Sequence, residues 1–82
     1  MTVKLRVLSG HEVLRIFEMH GFVQTRQKGD HVRLSKGATL GTVHVTIPLH
    51  KEVRRGTLHG IAQEFAAVFG EEQMRTQFYA MD

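Results

Sequence analysis

The chain predicts an α+β fold, a two-layer α-β-β-β-α domain in which a three-stranded antiparallel sheet carries its helices on one face, plus a short C-terminal helix. Three observations lead there. Two segments space their apolar residues for a helix. Between them lie runs that alternate polar with apolar residues or are rich in β-branched and aromatic ones, separated by glycine-bearing turns. Neither amphipathic helix can bury its stripe alone, and one face of the sheet is the surface on offer. Eighty-two residues read as a single domain, with a core over about 8–70 and a helical tail over 71–82. Such a chain keeps a net stability of roughly 5 kcal/mol. Function is therefore expected on a surface or in a shallow groove.

Each element has its own signal. Ser9 and Glu12 make a capping box, with the Ser hydroxyl serving the Glu12 N–H and the Glu12 carboxylate reaching back to the cap. Val13, Leu14 and Phe17, with Ile16 at the edge, give the first helix, Gly10 to His20, an apolar stripe; Gly21 ends it as a left-handed residue. Phe22 to Gln27 reads as a strand, Lys28-Gly29-Asp30 as a turn, and His31 to Ser35 as a second strand. Lys36 to Gly41 reads as a loop, and Thr42 to Ile47 as a third strand that Pro48 ends. Strand parity points Val32, Leu34, Val43, Val45 and Ile47 toward the helices. It leaves His31, Arg33, Ser35, Thr42, His44 and Thr46 on an open face. Thr57 is the expected N-cap of the second helix, whose face is Leu58, Ile61, Ala62, Phe65, Val68 and Phe69. Beyond Gly70, residues Glu71 to Tyr79 form a further helical segment with Met74 and Phe78 as its apolar edge.

Composition narrows the chemistry. There is no cysteine, which removes disulfides, thiolate metal sites and thiol nucleophiles together. No signal-peptide pattern opens the chain, and its longest clear apolar stretch, Phe65 to Phe69, is far too short to span a bilayer, so a cytoplasmic protein without membrane contact is expected. The formal charge is +3, unevenly spread: net +1 over residues 1–21, +5 over 22–59 and −3 over 60–82. A basic middle suits a polyanion such as a nucleic-acid backbone. On charge alone, a solvated surface reads equally well.

The motif run is more specific. Gly21-Phe22 after a short helix, Arg26, Lys28-Gly29-Asp30-His31, Val43 to Ile47 leading into Pro48-x-His50, and Gly56-Thr57-Leu58 opening a helix together resemble the HicA toxin family over roughly residues 8 to 70. That resemblance implies a double-stranded-RNA-binding-like fold and an mRNA interferase that acts without the ribosome. It also implies a HicB-type antitoxin protein as partner. The family's functional run is usually Gly-Ser-His, which carries over to Gly29 and His31. Asp30 stands where serine is commoner. A carboxylate there either supports the imidazole or repels a substrate phosphate, and the sequence leaves both open.

RNA can be cleaved with the ribose 2′-OH as internal nucleophile, which needs a base, an acid and stabilisation of the phosphorane charge. His31 is the expected general acid or base, since imidazole titrates near neutrality. Gly29 shapes the turn and admits close backbone approach. Lys28 and Arg33 are placed to offset phosphate charge, and Arg26 joins them as an RNA-binding candidate. His44 shares the face of His31 and reads either as a second proton-transfer group or as a solvent-facing strand residue. His50 fits a turn or cap at least as well as substrate contact. Arg54 and Arg55, ahead of the second helix, make an anion-attracting corner or simply a solvated loop. No histidine pair has the i, i+4 spacing of a helical metal site, so no metal and no small-molecule cofactor are expected. Two readings compete with the endoribonuclease: a non-catalytic RNA-binding module that reads A-form shape and phosphates, and a protein-interaction domain with a basic face.

Overall fold

In a computed structural model that describes residues 2–81, the chain runs β1 (Val3–Leu5), α1 (Gly10–Met19), β2 (Val23–Lys28), β3 (His31–Ala38), β4 (Gly41–Pro48), α2 (Arg55–Phe69), α3 (Glu71–Phe78) and β5 (Tyr79–Met81). The expected three-stranded antiparallel sheet is present in the order β2-β3-β4. A second, two-stranded sheet pairs β1 with β5 and was not foreseen. Three-residue strands carry too little alternation to be recognised, and these two become strands only when the chain ends meet.

The helix α1 starts as its sequence dictates. Glu12 N–H donates to Ser9 Oγ at 3.1 Å, and Ser9 N–H donates to Glu12 Oε1 at 2.8 Å. Gly21 takes φ 94° just past the helix. The start of α2 differs from expectation. Arg54 is its N-cap, with no side-chain cap bond, and Thr57 lies inside the first turn. Leu58 N–H already donates to Arg54 O at 2.8 Å, and buried Val53 fixes the approach, so the helix begins a turn earlier than a polar-cap rule places it. The loop expected from Lys36 to Gly41 is also shorter. The β3–β4 ladder continues to Ala38↔Gly41, leaving only Thr39 and Leu40 to turn. Gly37 and Gly41 weaken a strand without forbidding one.

Sheet parity is as read. Val32, Leu34, Val45 and Ile47 are buried against the helices and Val43 packs at the margin of the same core. That core is one cluster reaching from Leu5 to Phe78. All five phenylalanines take part in its ring contacts, with Phe17 at the centre: its ring meets Phe22 at 5.0 Å, Phe65 at 5.4 Å and Phe78 at 6.3 Å between centroids. Met74 and Phe78 are buried here, so the C-terminal helix is part of the core rather than an appendage.

The first strand of the sheet has an irregularity that matters for the site. Val23 and Gln24 pair with Ser35 and Leu34, but beyond Thr25 the register shifts, and Arg26, Gln27 and Lys28 pair with Arg33, Val32 and His31. Phe22 is buried on the core side. Unbroken alternation from Phe22 would send Arg26 and Lys28 toward the core as well. The bulge at Thr25 reverses the phase and brings both cations onto the open face.

Candidate active site

The open face is built around the β2–β3 hairpin. Only Gly29 and Asp30 separate the paired Lys28 and His31, and Gly29 adopts φ 60°. A two-residue hairpin turn with glycine first and a positive φ there matches the twist of the flanking strands. The tight turn sets His31 at the very start of β3, its side chain 56% exposed. Arg26, Lys28, His31, Arg33 and Thr46 line a shallow depression of about 320 Å³. Arg26 and Arg33 also line the adjoining depression with Thr25, Ser35, Thr42 and His44. The sequence-predicted residues Lys28, Arg33, Arg26 and His44 thus share one surface with His31.

Two groups of polar side chains occupy that surface, one joined by hydrogen bonds and one by ion-pair contacts. Toward one end, Ser35 Oγ and His44 Nδ1 are 2.6 Å apart across β3 and β4, and Thr25 Oγ1 lies 3.3 Å from the same serine oxygen. At the other end, Asp30 joins two imidazoles. Its Oδ1 is 2.9 Å from His31 Nδ1 and its Oδ2 is 3.2 Å from His50 Nε2, while the two rings sit 6.4 Å apart between centroids. His44 does not approach this pair. It is paired with Ser35, four residues along β3 from His31, a strand distance of roughly 13 Å.

Sequence reasoning missed both Asp30 as a bridge and His50 as its second partner. The signal was present in Pro48-x-His50, yet nothing local says where that segment goes. The backbone decides it. Leu49 N–H donates to Asp30 O at 2.6 Å, and Gly10 N–H at the start of α1 donates to His50 O at 2.9 Å. Gly10 is required by packing: a Cβ there would lie 2.6 Å from Leu49 Cα and closer still to the Pro48 carbonyl oxygen. The helix start, the end of β4 and the hairpin turn are clamped together, and His50 is carried to Asp30.

Other predicted residues lie apart. Arg54 caps α2, and Arg55 lines a cavity with Val3, Leu5, Gly56, His59 and Tyr79, away from the open face. His20 places Nδ1 2.8 Å from Ile16 O and rests its ring on Phe65 and Phe69, a packing role at the end of α1. Among the described residues no three histidine or carboxylate side chains group as a metal site, and no helix is long and apolar enough to cross a membrane.

Fold and surface together define a small α+β protein that presents imidazoles, one carboxylate and a row of cations on the free side of its sheet. The model of the HicA toxin family, toxins of bacterial toxin–antitoxin systems, matches residues 10–66, and the chain belongs to that family. Comparison with curated proteins and with solved structures finds no match.

Proposed function

We propose that this toxin is an endoribonuclease that binds mRNA, cleaves it without the ribosome through His31 as general acid or base, and is neutralised by a HicB-type antitoxin. The observation that carries the reading is the exposed His31 imidazole at a glycine-shaped turn, flanked on the same face by Lys28, Arg26 and Arg33. The cations offset phosphate charge and hold the backbone, while the imidazole transfers protons at a scissile linkage. Gly29 supports the geometry of the turn. The reaction needs no metal and no small-molecule cofactor, the protein acts in the cytoplasm, and the family partnership supplies the inhibitor.

The test compares the intact chain with His31→Ala, in growth arrest on induction and in cleavage of a defined RNA with and without a chelator. The expected result is cleavage that survives the chelator and falls about 100-fold or more in the variant, with RNA affinity retained. Binding without cleavage by both proteins would establish the alternative, a non-catalytic RNA-binding module that uses the same cations. Cleavage abolished by the chelator would overturn the metal-independent chemistry.

A further inference from the structure

We propose that His50 is the second proton-transfer group of the cleavage site, paired with His31 through the shared carboxylate of Asp30. This rests on the endoribonuclease reading and extends it. When a ribose 2′-OH attacks its own 3′-phosphate, the O2′–P bond forms and the P–O5′ bond breaks. One proton leaves O2′ and one arrives at O5′, giving a 2′,3′-cyclic phosphate and a free 5′-hydroxyl with no further reactant. The two protons move at opposite sides of one phosphorus. Two positioned groups accomplish this, each within hydrogen-bond reach of its oxygen.

His50 is the imidazole placed to share that work. Its ring lies 6.4 Å from that of His31, whereas His44 is set roughly 13 Å along the sheet. Asp30 engages Nδ1 of His31 and Nε2 of His50, which leaves Nε2 of His31 and Nδ1 of His50 for substrate. Both rings are about half exposed and therefore reachable. A carboxylate orients the imidazole it bonds, and here its two oxygens orient two. A serine hydroxyl, with its single oxygen on a shorter side chain, is poorly suited to hold both rings. Asp30 is thus a positioning residue in this arrangement, and His50 a catalytic one. Its position is secured by the Leu49–Asp30 and Gly10–His50 backbone bonds.

The experiment uses the full chain and an oligoribonucleotide whose cleavage site has been mapped. A second substrate carries a 5′-bridging sulfur at that site, and its thiolate departs without a proton. Wild type, His31→Ala, His50→Ala and His50→Gln are compared, with thermal unfolding as the check on folding. Glutamine retains a donor for Asp30 but cannot relay a proton at neutral pH, so it decides the matter where alanine disturbs the fold. The His50 variants are expected to slow cleavage of the oxygen substrate about 100-fold or more and to lose one limb of the bell-shaped pH profile. The sulfur substrate should restore one histidine position, whichever supplies the leaving-group proton, and leave the other impaired. If His50→Gln cleaves within about threefold of wild type and keeps both limbs while His31→Ala is dead, the pair is wrong and the nuclease reading stands. If the sulfur substrate rescues neither position, His50 is structural and the proposal fails. A wild-type chain that leaves RNA intact overturns both readings.

Discussion

Two glycines, with opposite reasons for being glycine, shape the site residue by residue. Gly29 has open space around it, but its φ of 60° is a backbone conformation that side chains with a Cβ resist. Gly29→Val should cost about 1–3 kcal/mol and misplace His31, which denaturant unfolding and RNA cleavage would register together. Gly10 has an ordinary backbone and no room: the Pro48 carbonyl and Leu49 Cα occupy the place of its Cβ. Gly10→Ala should destabilise by about 1–3 kcal/mol, and the His50 imidazole resonance should shift in NMR because the clamp on residues 48–50 is forced apart. An unchanged His50 signal would show that the clamp does not position it. The sequence announced Gly29 through its place in a turn motif. Gly10 was silent, because close approach by residues from another element leaves no mark on the local pattern.

Single elements show how far local chemistry reaches. The capping box of α1 was fully legible, since both partners lie within one turn. The Ser9 backbone N–H, the leading influence, together with the Ser9 side chain holds the Glu12 carboxyl below its ordinary value of 4.5. A carboxyl whose folded value is lowered contributes stability that is present above the unfolded value and is lost as pH falls through the folded one. Glu12→Gln should therefore be less stable than wild type at pH 7, and the two unfolding curves should converge as pH drops below 4.5. Ser9→Ala should cost about 1 kcal/mol at neutral pH, which denaturant unfolding would register. The strand β2 teaches the opposite lesson. Its cations reach the open face only because Thr25 interrupts the alternation, and a bulge is a property of the pairing with β3, not of the β2 sequence.

Across the whole molecule, stability depends on a core to which the last helix adds Met74 and Phe78. Phe78 is completely buried and its ring meets those of Phe17 and Phe65. Phe78→Ala should cost about 3–5 kcal/mol, most of the roughly 5 kcal/mol expected for a chain this small, so the urea midpoint of the variant should fall to less than half that of wild type. An unchanged midpoint would show the tail to be dispensable. The sequence by itself determined the α+β class, the three sheet strands, the cap of α1, and the division of β3 and β4 into a core side and an open side. All of these follow from periodicity and short-range hydrogen bonding, which neighbouring residues carry within themselves. Only the tertiary structure decided that the chain ends pair as β1 and β5, that α3 enters the core, that Arg26 and Lys28 stand beside His31, and that Asp30 meets His50. Those outcomes depend on register and on contacts between segments far apart in the chain, where packing and long-range backbone bonds, rather than local pattern, set the lowest free energy.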